Sequence, residues 1–286
     1  MKSLKPATAA TAVLLGALLT APANAAPTSA PAPTCKVQLE PVTSRGDAPN
    51  TTVTATSPPT AKTTAGPHLF APGTVRFTST WRWDSGSNDA YVVIGARLYQ
   101  VSWGYDEMTG ELYDYQNPVG GGWDRFTMFE QATYGSPAIR IARYGLRDDG
   151  VLFRWTSWKN VHRYAGFASV KAMTLISETK TYDTFLATTR GGALYTIHIP
   201  ADTRVRPTVK KIRSSTWQGF ETLVAERCGT QSTLLTAIDK DTGTAYLYAV
   251  SHGAVVIKGL GKVPGTYKDP VISRWVLDDA PNRNGE

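Results

Sequence analysis

Apolar and polar residues alternate with a period of two along most of the chain after about residue 70. The clearest runs are 75–77, 139–141 and 151–155. Alternation that is rich in β-branched and aromatic residues, with Gly, Asp, Asn and Ser between the runs, predicts strands joined by tight turns. One stretch, 220–227, has fair helix propensity; its place in a repeat predicts a strand, with a short helix as the alternative. The pattern predicts an all-β domain.

The predicted strands belong to a repeated unit. Its aromatic anchors are each followed three positions later by Phe, and they are Trp123, Tyr164 and Trp217. Its closing aromatics follow a Gly turn, lie 30 or 31 positions after the anchors, and are Phe153, Tyr195 and Tyr248. A looser copy closes at Tyr113, and a further start is visible at Tyr267. The spacing between closing aromatics is 40 to 53 residues.

A repeat of this length, built only from strands, is typical of the blades of a β-propeller. We therefore predict a small β-propeller of four or five blades, in which four repeats are visible. The C-terminal strand at 271–275 closes the ring by completing a blade that begins near Val75. A β-sandwich and an irregular barrel are the alternatives.

The best-preserved copy begins Gly-Gly-Trp-Asp-Arg-Phe at 121–126 and continues with a strand, a Gly turn and Leu beside an aromatic residue. This arrangement resembles the blades of the tachylectin-2-like β-propeller lectins, and the resemblance covers roughly residues 75–275. It implies a small five-bladed lectin with one site for an N-acetylated sugar on each blade.

The first 69 residues have a different composition. Lys2 and Lys5, an apolar run at 9–19 and a small-residue cleavage site at 23–25 predict a signal peptide over 1–25, with a membrane anchor as the alternative. Pro, Thr, Ala and Ser dominate 26–69, which is therefore predicted to be a largely disordered linker. The propeller is assigned to 70–286, in a secreted protein without a membrane span.

Two cysteines lie beyond the predicted cleavage site, Cys35 and Cys228. In an exported chain such a pair predicts one disulfide, and two free thiols are the alternative. The net charge of +7 becomes 7 − 2 = +5 without Lys2 and Lys5, which does not indicate a nucleic-acid partner. No cysteine or histidine pair has metal-ligand spacing, so no metal or cofactor is predicted.

No catalytic motif occurs, so no catalytic residue is predicted. Eight Trp and 13 Tyr favour carbohydrate binding, because sugar rings stack on aromatic faces while polar neighbours bind their hydroxyls. The candidate ligand-binding residues are Trp123, Asp124, Arg125, Trp217 and Gln218. The alternative is that the anchor tryptophans pack between blades. Tryptophans in excess of the anchors also remain candidates for exposed aromatics, and they are Trp81, Trp83, Trp103, Trp155 and Trp158.

These observations predict a secreted, monomeric binding module that takes glycans or cell-surface polysaccharide in pockets at the propeller rim or between blades. A propeller-fold glycoside hydrolase or lyase is one alternative, and it would need two facing carboxylates. A protein-interaction scaffold without a small ligand is the other.

Overall fold

Twenty-one β-strands and no helix are found in the residues that the computed structural model describes, which are 34–135, 137–253 and 256–285. The all-β prediction is confirmed, and the stretch at 220–227 lies largely within a strand, as predicted. The predicted signal peptide at 1–25 lies outside the described residues.

The strands are short and follow one another closely along the chain. In order they are β1 (Lys36–Val42), β2 (Asn50–Thr54), β3 (Thr60–Thr64), β4 (Val75–Thr78), β5 (Trp81–Asp84), β6 (Ser87–Ile94), β7 (Arg97–Tyr105), β8 (Leu112–Gly121), β9 (Phe126–Tyr134), β10 (Arg140–Arg147), β11 (Leu152–Ser157), β12 (Asn160–Tyr164), β13 (Val170–Glu178), β14 (Tyr182–Thr189), β15 (Leu194–Pro200), β16 (Thr208–Arg213), β17 (Thr222–Cys228), β18 (Ser232–Asp239), β19 (Thr244–Ser251), β20 (Ile257–Val263) and β21 (Val271–Leu277).

Three of the four sheets are four-stranded, antiparallel and built from consecutive strands, namely β9–β12, β13–β16 and β17–β20. The fourth sheet has nine strands. Its main path runs β3-β2-β1-β21-β5-β6-β7-β8, and β4 pairs with β6 beside it. In this sheet β21 is antiparallel to β1 and parallel to β5. The last strand thus joins an N-terminal set, β1–β3, to the set that runs from β4 to β8.

Two predictions about the first part of the chain are corrected by this sheet. Much of the stretch 26–69 is ordered rather than a disordered linker, because its described part, from residue 34, forms β1, β2 and β3. The last strand completes a sheet with β1–β3 on one side, not only with the strand that begins near Val75. Val37, Leu39 and Val53 are fully buried between sheets, and this burial offsets the entropy of ordering a Thr-rich segment.

The strands form five consecutive sets, which are β4–β8, β9–β12, β13–β16, β17–β20, and β21 with β1–β3. The first strand of each set contacts the first strand of the next. β4 contacts β9, β9 contacts β13, β13 contacts β17, β17 contacts β21, and β21 contacts β4. The apolar core lies between neighbouring sheets, where side chains such as Tyr144 of β10 and Phe185 of β14 meet with ring centroids 5.0 Å apart.

One backbone contact repeats just before each of these first strands. A backbone N–H donates to the carbonyl oxygen at the hairpin tip of the preceding set, at 3.0–3.1 Å. Among the described residues the donors are Leu69, Trp123, Phe167, Trp217 and Tyr267, and the acceptors are Gly46, Ala96, Gly150, Gly192 and Gly243. The anchor of the second visible copy is therefore Phe167 and not Tyr164, which ends β12.

The predicted disulfide is confirmed. Cys35 and Cys228 are bonded, with their Cα atoms 5.5 Å apart and a separation of 193 positions in sequence. The bond links the start of β1 to the end of β17. Such a disulfide is typical of proteins that fold in an oxidising compartment.

Candidate functional site

A groove with aromatic and uncharged polar walls lies on the nine-stranded sheet, where β21 pairs with β5. Its volume is about 410 Å³, within the range of small-molecule sites. One wall comes from β1, β21 and the start of β2, the other from β5, β6 and β7, and the loop 64–67 borders it. We call it the aromatic groove, and the side chains that define it are Gln38, Glu40, Asn50, Trp83, Asn88, Trp103, Tyr105 and Trp275.

Four aromatic side chains supply its apolar surface. Trp83 is 39% exposed and Tyr105 is 52% exposed, so both rings present open faces. Trp275 is half-buried, and Trp103 lies deeper, edge-on to Tyr105 with centroids 6.3 Å apart. Large exposed rings beside a concavity are the feature on which the C–H faces of sugars stack.

The polar side chains of the groove make few hydrogen bonds to one another. The Asn50 amide donates to Glu40 Oε2 at 3.0 Å, and Trp275 Nε1 donates to Asn88 Oδ1 at 2.8 Å. Among the described residues, the buried Nε1 of Trp103 has no hydrogen-bond partner. The groove therefore holds donors and acceptors that a hydroxylated ligand could satisfy.

Glu40 is the chemically unusual group of the groove. It is 2% exposed, and burial raises its pKa to about 8, although the hydrogen bond from Asn50 acts in the opposite direction. Among the described residues it forms no ion pair, and Asn50 is the only hydrogen-bond partner of its carboxyl group. At neutral pH this carboxyl group is mainly in the uncharged acid form.

The alternation of β1 places these groups. Val37 and Leu39 point into the core between sheets, so Gln38 and Glu40 occupy the opposite face. The strand register then sets Gln38 opposite Trp275 and Glu40 opposite Ser273. Trp83 and Trp103 are among the tryptophans in excess of the anchors, which the sequence leaves as candidates for the site. The polar wall has no such signal, because Gln38, Glu40 and Asn50 lie in the stretch whose composition predicts a linker.

Trp123 lies in the core rather than in the groove. It is 6% exposed, and its ring packs against Phe126 and Trp155 with centroids 4.5 and 5.6 Å away. Its neighbours Asp124 and Arg125 are exposed, and Arg125 Nη2 binds Asp148 Oδ1 at 2.7 Å. A sugar ring needs an open aromatic face, so the binding prediction at this copy now depends on the two exposed polar side chains.

Trp217 is in the same position one sheet further on. It is 5% exposed and packs against Phe220 and Tyr248, with ring centroids 5.3 and 5.0 Å away. Gln218 is exposed, and its backbone carbonyl oxygen accepts a hydrogen bond from Lys171 Nζ. The two predicted anchors belong to separate core clusters, so the structure does not bring the five predicted site residues together.

A second cavity, of about 170 Å³, is lined by residues from β4, β9, β13, β17 and β21. Its charged groups already have partners. Lys171 contacts Glu221, and the other carboxylate oxygen of Glu221 accepts from the Lys240 backbone N–H at 2.8 Å. Glu130 accepts from the Thr80 hydroxyl at 2.8 Å. This pairing leaves the cavity less suited to a ligand than the aromatic groove.

The segment after β21 contributes a buried ion network near these strands. Arg283 is fully buried, and its Nε donates to Glu178 Oε1 at 3.3 Å while Nη1 donates to the Leu175 carbonyl at 3.0 Å. Burial alone would raise the pKa of Glu178, but Arg283, Arg82 and Arg274 outweigh it and lower that pKa. These charges hold the C-terminal segment against β13.

The described part of the chain, 34–135, 137–253 and 256–285, lacks two features that would bear on function. No group of three or more His, Cys, Asp or Glu side chains there is arranged to hold a metal ion. No helix long and apolar enough to cross a membrane occurs in that part either.

Comparisons with known proteins identify no family. No protein-family model matches the sequence, and no curated protein matches it significantly. Among solved structures, the catalytic domain of a GH62 α-L-arabinofuranosidase from Coprinopsis cinerea aligns over 72% of this chain and 74% of its own, with 13% identity and a TM-score of 0.43. BBS1N, solved in complex with ARL6DN, aligns over 78% and 70%, with 11% identity and a TM-score of 0.37. Neither likeness is close enough to carry an argument.

Proposed function

We propose that the protein is a five-bladed β-propeller. Five first strands touch in a cycle that returns from β21 to β4, and the same backbone contact to a hairpin tip recurs before each of them. In this arrangement β21 with β1–β3 forms one blade, and β4–β8 form the next. Five blades are also what the resemblance to the tachylectin-2-like lectins implies.

On this fold we propose a secreted module that binds carbohydrate in the aromatic groove. The observation that carries the proposal is the pairing of exposed Trp83 and Tyr105 with amide and carboxyl groups across one cavity of about 410 Å³. Secretion is supported by the predicted signal peptide and by the Cys35–Cys228 disulfide.

The hydrolase alternative has less support. Glycoside hydrolysis needs a pair of carboxyl groups on either side of the scissile bond. Among the described residues that line the groove, Glu40 is the only one with a carboxyl group. A binding role requires no second carboxyl, so it fits the lining better.

The proposal is tested with a glycan array and with retention on insoluble cellulose, chitin and peptidoglycan. The Trp83→Ala variant should bind about tenfold more weakly than the natural protein, because one aromatic stacking face is worth roughly 1.4 kcal/mol. Trp158→Ala is the matched control, since Trp158 is also 39% exposed but lies outside the groove.

Equal losses in both variants would show that the groove is not the binding site. Absence of retention on every glycan and polysaccharide would reject the carbohydrate proposal. Release of soluble sugars during incubation would instead favour the hydrolase.

A further inference from the structure

We propose that Glu40 determines which sugars the aromatic groove accepts. As a carboxylic acid, Glu40 donates a hydrogen bond to an oxygen of an uncharged saccharide. When Glu40 ionises, the saccharide dissociates. This inference rests on the proposed carbohydrate function and adds a ligand class and a pH response to it.

The position of Glu40 restricts what it can bind. Its side chain lies within the lining of the groove and is almost fully buried. The amide of Asn50 occupies Oε2, which leaves Oε1 as the oxygen that can carry a proton towards a ligand. A buried carboxylic acid with one free oxygen gains most from a ligand that presents a ring or acyl oxygen, which can only accept, because a hydroxyl could donate to the ionised form as well.

The groups that face Glu40 offer no charge to compensate an ionised form. Asn50 binds the carboxyl group, Ser273 lies opposite Glu40 in the strand register, and Trp275 and Trp83 share the groove lining with it; all four are uncharged. Tyr105 on β7 supplies the only other titratable side chain among the described lining residues. Arg274, between Ser273 and Trp275, is held by Glu226 through two bonds of 2.8 Å.

The lack of a cation also disfavours acidic sugars. An anionic ligand such as a uronate or sialate would lose its hydration on entering the groove and would find no Lys, Arg or His in the described lining. An uncharged saccharide has no such cost. The groove therefore selects neutral over anionic ligands because its described lining has the Glu40 carboxyl group and no cationic side chain.

The pH response follows from the pKa of about 8 that burial gives Glu40. Below that value the acid form donates to the ligand. Above it the carboxylate cannot donate and repels a ring or acyl oxygen, which has no hydrogen to offer, so affinity falls about tenfold for each further pH unit. A Glu40→Gln variant keeps a donor of the same size at every pH and should bind without this dependence.

The free energy of unfolding, like the affinity for the ligand, should fall as the pH rises. The pKa of Glu40 in the folded state lies above its ordinary value of 4.5, so protonation favours the folded state. That contribution is complete below about pH 4.5 and is lost as the pH rises to about 8. The urea midpoint of the natural protein should therefore fall across this range more steeply than that of Glu40→Gln.

Calorimetry tests this inference by measuring affinity for two neutral probes, cello- and chito-oligosaccharides, and for two anionic ones, oligogalacturonate and sialyllactose. Affinity is measured at about pH 6 and about pH 9.5, and the natural protein should lose roughly thirtyfold for the neutral probe that it binds. Glu40→Gln should lose little, and Glu111→Gln, at an exposed glutamate outside the groove, should behave like the natural protein.

An infrared difference spectrum between the natural protein and Glu40→Gln gives a readout that needs no ligand. It should contain the band of a protonated carboxyl at about pH 6 and lose it at about pH 9.5. Absence of that band at the lower pH overturns the inference, even if sugars bind. Binding of neutral probes that stays constant with pH also overturns it and leaves the carbohydrate function intact. Stronger binding of the anionic probes overturns the ligand class.

Discussion

Two buried glutamates in this protein have opposite pKa shifts because their neighbours differ. Glu40 is surrounded by uncharged groups, and burial raises its pKa to about 8. Glu178 is as deeply buried, but three arginines and the Thr133 backbone N–H lower its pKa despite the burial. Glu178 therefore contributes stability above its unfolded pKa and loses it as the pH falls through the lowered value, whereas Glu40 favours the folded state at low pH.

Replacing Arg283 tests how much its ion pair with Glu178 contributes to stability. Arg283→Met should lower the free energy of unfolding by about 3–5 kcal/mol, because it leaves Glu178 buried without its closest cation. Arg204→Met is the control, since Arg204 is 88% exposed and its ion pair is with the nearby Asp202. Urea unfolding of both variants at neutral pH gives the comparison. Similar midpoints for the two would contradict a structural role for the buried network.

The backbone contact that precedes the first strand of each set has a donor that varies in residue type. Because of this variation, the donor cannot be identified in every copy from the sequence. Trp123 and Trp217 were recognised as anchors because both are aromatic. At the copy between them the spacing favours Tyr164, because Phe167 follows it three positions later, yet Phe167 itself makes the contact. Leu69 was missed because an aliphatic residue gives no signal there. The contact requires only a backbone N–H and a buried side chain. The sequence pattern therefore shows that the repeats exist, but it does not show which residue of each copy makes the contact.

Gly46 tests the requirement at the other end of this contact. Its φ is +92°, and an added Cβ would lie 1.8 Å from the Phe70 carbonyl oxygen. Gly46→Ala should therefore destabilise the protein by about 2 kcal/mol or more, from strain and displacement of the hairpin tip. Gly120→Ala in β8 is the matched control, because nothing lies within 4 Å of its added Cβ. Thermal unfolding of the two variants should differ clearly, and equal melting temperatures would contradict the close approach.

The whole molecule depends on pairing between distant parts of the chain, which no local pattern reveals. The Ser273 hydroxyl donates to the Glu40 carbonyl across 233 residues, and the groove combines β1 and β21 with β5–β7. The alternation of Lys36-Val37-Gln38-Leu39 is a strand signal, but the surrounding Pro and Thr residues obscured it. Composition and repeats therefore predicted the strands after residue 70, whereas the site required knowledge of which strands meet.

The disulfide should stabilise this long-range arrangement. A Cys35→Ser, Cys228→Ser double variant should lose about 2–5 kcal/mol of unfolding free energy, because the bond closes a loop of 193 residues. Urea unfolding with and without reductant makes the measurement. Reductant should lower the midpoint of the natural protein and leave that of the double variant unchanged. Two free thiols in the native protein would show that the bond does not form.

The pairing of β1 with β21 has a consequence for how the chain is made. Synthesis delivers β1 early, yet its partner emerges only after more than two hundred further residues. Until then one edge of β1 is open, and an open edge is a template for mispairing with other chains. The high sequence separation also predicts slow folding. The pairing of β21 with β1 is therefore the folding event that closes this edge. Before β21 has been synthesised, binding of a chaperone to the nascent chain would give the most protection against mispairing.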